Sequence, residues 1–122
     1  MAKQIMITDD ALFMRVMLKT ILVGGGYSVS WEANNGQEAV SLYRQHKPDL
    51  VLMDITMPLM DGITAVKQIK SEFPDCKIVM CTAMGQKTMV VEAIRAGAKD
   101  FIVKPFQPER VLDSVHKVIG AP

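Results

Sequence analysis

The sequence has few of the residues that would mark several kinds of chemistry. It contains two cysteines and two histidines among 122 residues. Cys76 and Cys81 are spaced for neither a CxxC redox pair nor a zinc site. Cys81 lies inside an apolar run and reads as a small buried thiol. An excess of one charge sign is also missing. The formal net charge is +1, so no overall field draws the chain to nucleic acid or to an anionic membrane. No apolar run approaches the roughly 20 residues that a membrane helix needs. Asp9 and Asp10 interrupt the N-terminal apolar stretch, so it does not read as a secretory signal. A cytoplasmic protein is expected. Internal repeats, low-complexity segments and long polar linkers are absent as well. A chain of this length is expected to form one domain with one core, residues 1–122.

What is present is an ordinary globular composition, 49% hydrophobic and 22% charged. Ten methionines read as adaptable core filler, with a few available to a partner-binding surface. Short apolar runs alternate with helix-period segments. Strands are predicted at Ile5–Thr8, Val29–Glu32, Leu50–Asp54, Ile78–Thr82 and Phe101–Val103. Helices are predicted at Leu12–Val23, Gln37–His46, Ile63–Glu72, Thr88–Ala96 and Pro108–Ile119. Strand then helix, five times over, predicts an α/β fold with a doubly wound five-stranded parallel sheet and five helices. The continuous runs "LVLMD" and "KIVMCT" fit strands buried on both faces.

The punctuation agrees. Gly24, Gly25 and Gly26 follow a helix, so they read as a turn and not as a phosphate cradle. Pro48 and Pro74 end the second and third helices, Gly97 ends the fourth, and Pro108 suits the first turn of the fifth. Asp61 before Gly62 reads as a helix cap. Asp49 reads as a loop acid, His46 and His116 as solvated helix residues, and Trp31 as edge-strand packing.

In a doubly wound sheet, ligands bind beyond the carboxyl ends of the strands. Strand one ends in Asp9 and Asp10, strand three in Asp54, strand four in Thr82, and strand five runs into Lys104. Three carboxylates, a hydroxyl and an ammonium therefore converge on one edge. Paired acids at a buried strand end gain nothing from burial unless a positive charge sits between them. Oxygen-only ligands in a partly hydrated site suit Mg2+ better than zinc.

"TDD" at Thr8–Asp10, "DLVLMDITMPLMDG" at Asp49–Gly62, "TA" at Thr82–Ala83 and "KDFIVKPF" at Lys99–Phe106 resemble the receiver domain of two-component response regulators. The likeness spans the whole chain and is strongest to stand-alone chemotaxis receivers. It implies a flavodoxin-like sheet of order 2-1-3-4-5 and a phosphoprotein that catalyses its own phosphorylation and dephosphorylation. The resemblance gives Asp54 the role of phosphoacceptor. Asp10 would bind Mg2+ directly, Asp9 would support it, and Asp54 and the Thr56 backbone carbonyl would complete the metal site. Thr82 and Lys104 would meet the phosphoryl group. The Lys104–Pro105 bond would be cis at Pro105, and Thr82 and Phe101 would form the switch. Met84 brings no charge or amide to guide an attacking water, which implies slow unaided hydrolysis and reliance on a phosphatase.

The same resemblance implies a monomer with no output domain and a protein contact as its output. The contact surface would include Lys87, Met89, Val90, Glu92, Lys99, Phe101 and Lys117. The implied donor is a chemotaxis histidine kinase, and the implied target is the flagellar motor switch protein. A phosphorelay intermediate would use the same chemistry. An Asp-nucleophile phosphohydrolase commonly carries a second acid two residues after the nucleophile, where this chain has Thr56. A flavin carrier would want a Ser/Thr-rich loop where this chain has Asp9 and Asp10.

Overall fold

The computed structural model describes residues 3–122. The elements run β1 (Gln4–Thr8), α1 (Leu12–Gly24), β2 (Ser28–Ala33), α2 (Gly36–His46), β3 (Leu50–Asp54), α3 (Gly62–Glu72), β4 (Ile78–Thr82), α4 (Lys87–Ala96), β5 (Asp100–Val103) and α5 (Pro108–Ile119). The five strands form one parallel sheet in the order β2-β1-β3-β4-β5. This is the flavodoxin-like arrangement expected from the alternation of strand and helix. Each observed element end lies within one residue of its expected position.

Two apolar layers hold the helices to the sheet, one on each face. Met6, Val51, Met53, Ile78 and Met80 point to the face covered by α2, α3 and α4. Ile5, Ile7, Leu50, Leu52, Val79 and Cys81 point to the face covered by α1 and α5. Successive strand side chains alternate sides, so β3 and β4 need apolar residues at every position, and all of theirs up to the strand tips are buried. Three of the ten methionines fill this interior directly at strand positions, as core filler does.

Helix ends follow local chemistry. The Asn35 side chain accepts the Glu38 N–H at 2.9 Å, and Glu38 Oε1 accepts the Asn34 N–H at 3.2 Å. Each side chain thereby satisfies a backbone donor that the start of α2 leaves open. Asp61 accepts the Thr64 N–H at 2.8 Å and caps α3. Gly97 closes α4 with φ +126, a backbone conformation in which a side chain would be strained. Asp49 is more than a loop acid: its carboxylate accepts the Gln4 N–H at 2.7 Å and ties down the start of β1. His46 is exposed as expected, yet it stacks on Trp31 with ring centroids 4.6 Å apart.

Among the described residues, one buried side-chain polar atom is left without a partner. The Thr8 hydroxyl at the tip of β1 has no hydrogen bond among the described residues. A buried unpaired hydroxyl costs stability, whereas a methyl of the same shape does not. Thr8→Val is therefore expected to raise unfolding stability by about 1 kcal/mol, read from urea denaturation. A loss of stability would show that the hydroxyl has a partner in solution.

Candidate functional site

The parallel register brings the strand tips level. Thr8 pairs with Met53, which sets Asp9 beside Asp54. Asp54 pairs with Cys81, and Thr82 pairs with Val103, so Thr82 and Lys104 arrive at the same rim. The Lys104 N–H donates to the Thr82 carbonyl at 2.7 Å, and the Lys104–Pro105 peptide is cis. Sheet geometry alone thus gathers residues that lie up to 95 positions apart in the chain.

Carboxylate oxygens of Asp9, Asp10 and Asp54 lie within 4.8 Å of one another. Asp9 and Asp54 are buried and Asp10 is exposed. Lys104 Nζ sits 3.2 Å from Asp9 Oδ2 and 3.3 Å from Asp54 Oδ1, so one ammonium serves two acids. Burial pushes the Asp54 carboxyl up to about 6, with repulsion from Asp9 adding to the effect and Lys104 opposing it. Burial works against the Lys104 charge, but Asp54 and Asp9 outweigh it and hold the ammonium above its ordinary range. Three acids thus face one ammonium, and the cluster keeps an excess of negative charge. The donors are all oxygens and one face is open to water, so the cluster is positioned to hold Mg2+. Cys81, fully buried beneath this rim, has its thiol pushed up by burial and by Asp54, which makes it an unreactive spacer.

Two residues that no strand-end pattern marks complete the rim. Arg15 donates to the Asp9 carbonyl at 2.6 Å and pairs with Glu32 at 3.0 Å. Gln86, just before α4, accepts the Thr82 hydroxyl at 2.7 Å and the Ala83 N–H at 2.8 Å, and donates to Thr56 Oγ1 at 3.2 Å. Neither residue belongs to a strand-end pattern, so spacing could not single them out.

A family profile, the response regulator receiver domain, matches residues 5–116. The chain belongs to the response regulator receiver family. It is 60% identical over 120 residues to the chemotaxis protein CheY of Bacillus subtilis, covering 98% of this chain and all of that one. It is 59% identical to CheY of Thermotoga maritima, covering 97% and 98% of the two chains. Among solved structures, it superposes with TM-score 0.90 and 36% identity on CheY in the CheX–CheY–BeF3–Mg2+ complex from Borrelia burgdorferi. That match covers 94% of this chain and 87% of the other. This receiver is thus CheY-like, a signalling domain that works through phosphorylation of an aspartate rather than a conventional turnover enzyme.

The expected partner surface is spread over α4, β5 and α5 of the receiver. Lys87, Met89, Glu92, Lys99 and Lys117 are exposed, while Val90 and Phe101 are half-buried against the core. Glu92 reaches toward Lys67 of α3 at 3.9 Å, and Lys117 pairs with Asp100 at 3.1 Å. Val90 and Phe101 share a cavity of about 180 Å³ with Thr82 and Gln86. Met84 is 79% exposed at its mouth. No helix among the described residues is long and apolar enough to cross a membrane.

Proposed function

We propose that this chain is a stand-alone receiver that accepts a phosphoryl group on Asp54 from a chemotaxis histidine kinase and then engages the flagellar motor switch. The observation that carries the proposal is the placement of Asp54. It lies buried at a strand tip, beside Asp9 and Asp10, with the Lys104 ammonium 3.3 Å away. Full-length similarity to the B. subtilis and T. maritima chemotaxis proteins supports the chemotaxis setting. The Borrelia complex, with its beryllofluoride and magnesium, supports the phosphoryl chemistry and extends the partner list to a CheX-like protein.

In this reading an Asp54 carboxylate oxygen attacks the phosphorus of a phosphohistidine. The N–P bond breaks, and the imidazole leaves with the bonding pair. The product is an acyl phosphate, which water can cleave to return the carboxylate. Lys104 moves its charge from Asp54 toward the new phosphoryl oxygens, and Thr82 donates its hydroxyl to one of them. Asp9, Asp10, Asp54 and the Thr56 carbonyl would hold Mg2+, which would supply positive charge against the transferring group. Phosphorylation gives Asp54 added negative charge and three acceptor oxygens. Thr82 shifts toward them, and Phe101, which shares a cavity with it, fills the vacated space. The rearranged α4–β5–α5 face then binds its target. Phe101 has no hydroxyl, so this switching depends on packing alone.

Incubation with Mg2+ and acetyl phosphate, followed by peptide mass spectrometry, is expected to place the modification on Asp54. A modified peptide lacking Asp54 would overturn the assignment. A motor-switch peptide is expected to bind only the activated form. Equal binding before and after activation would remove the motor role and leave a relay intermediate.

A further inference from the structure

Thr82 has one hydroxyl proton, and in this structure that proton is already engaged. Gln86 Oε1 is its nearer acceptor at 2.7 Å, and the Ala83 carbonyl is a longer one at 3.1 Å. The Gln86 oxygen also accepts the backbone N–H of Ala83 at 2.8 Å. A backbone N–H can only donate, so the amide orientation of Gln86 is set: oxygen toward Thr82 and Ala83, nitrogen toward Thr56 Oγ1 at 3.2 Å. The Nε2 group also approaches the Met89 sulfur at 3.6 Å. One side chain thereby ties together β4's tip, the loop after it, and the residue two positions beyond the phosphoacceptor.

We infer that Gln86 is a positioning residue that holds the Thr82 hydroxyl away from the phosphoryl site, so that phosphorylation must first displace this amide. The inference rests on the phosphoacceptor reading of Asp54 given above. Thr82 cannot donate one proton to Gln86 and to a phosphoryl oxygen at once. The resting receiver is therefore biased against the active arrangement by the margin of the Gln86 hydrogen bond over the longer one to the Ala83 carbonyl. When Thr82 leaves, Gln86 keeps Ala83 and Thr56 as partners or turns to water, so release strands no buried group. Gln86 also immediately precedes α4, at the helix cap position, and lines the cavity shared by Val90 and Phe101. Release of Thr82 is thus transmitted directly to the start of α4 and to the wall against which Phe101 packs.

The test is a beryllofluoride titration at saturating Mg2+, followed by NMR, on the parent, Gln86→Met, Thr82→Val and the double variant. Methionine keeps the length and apolar body of glutamine but accepts only weakly. Gln86→Met is expected to tighten beryllofluoride binding about threefold to tenfold, the range set by losing one ordinary hydrogen bond from the resting state. In the unliganded variant, the Ala83 amide should exchange faster with solvent. In the Thr82→Val background, the gain should shrink to less than about twofold, because the hydroxyl that Gln86 withholds is gone. Unchanged or weaker binding in Gln86→Met overturns the inference, as does an equal gain in the Thr82→Val background. A parent that binds no beryllofluoride overturns the phosphoacceptor reading itself, and the inference with it. A parent that binds while Gln86→Met is no tighter removes the inference alone.

Discussion

Asp54→Asn is expected to lose phosphoryl uptake from acetyl phosphate, falling on the order of a hundredfold or more below the parent, because the amide is a poor nucleophile. The same variant should be the more stable protein. Burial and Asp9 hold the Asp54 carboxyl up at about 6, against 3.8 in the unperturbed group. The sign follows from proton linkage. The folded state binds this proton more tightly than the unfolded state, so the associated stability is present below the unfolded value and is lost as pH rises through about 6. At neutral pH the ionised Asp54 is a net burden on the fold, and asparagine removes it. With EDTA present, the variant should gain about 1–3 kcal/mol, or roughly 5–15 °C in Tm. The gain should fade as pH drops from 6 toward 4. Calorimetry across that range, paired with phosphorylation by mass spectrometry, checks both halves. A variant that is both inactive and less stable would mean that Asp54 is well compensated and that the strained-cluster account is mistaken.

Gly62→Ala is expected to be among the most damaging single substitutions in the chain. A Cβ at this position would lie 2.1 Å from the Asp54 carbonyl oxygen and 3.1 Å from the Ile55 Cα. Both neighbours are backbone at the end of a buried central strand, so neither can rotate away. The Gly62 N–H also donates to the Ile55 carbonyl at 2.8 Å, which locks the approach. One added methyl should therefore cost about 3 kcal/mol or more, since the clash is with the main chain and not with a side chain that can repack. It should also move the Asp54 carbonyl and reduce phosphorylation. Gly24→Ala is the matched control, because nothing lies within 4 Å of a Cβ there and the residue is helical. Denaturant curves should show Gly24→Ala neutral or slightly stabilising. If Gly62→Ala changes stability by less than about 0.5 kcal/mol, this close approach is relaxed in solution.

Most of the scaffold was legible because its signals are periodic and local. "LVLMD" and "KIVMCT" could be read as doubly buried strands, and Pro108 and Asp61 marked helix starts that the structure contains. The convergence of Asp9, Asp10, Asp54, Thr82 and Lys104 was legible for a different reason. Parallel strands in a doubly wound sheet all end at one rim, so the last residue of each run is informative. What escaped was chemistry without a position rule. Gln86 is a neutral amide beside a helix start, a place where glutamine usually signifies nothing. Its role emerges only when the chain brings Thr82, Ala83 and Thr56 around it. Asp49 reads as a loop acid in the sequence because its partner, the Gln4 backbone, lies 45 residues away. The bridging position of Lys104 between two acids likewise depends on side-chain reach, which the order of residues does not encode.

The stack between Trp31 and His46 decides what light can report about this protein. The single indole sits on β2, the edge strand, two strand spacings from β3 and its Asp54 and three from β4 and its Thr82. Its emission is expected to follow unfolding, with β1 standing between it and the strand that carries Asp54. A fluorophore introduced near the α4–β5 cavity would put an optical reporter beside Thr82 and Phe101, and the native tryptophan can serve as the internal standard for intact fold.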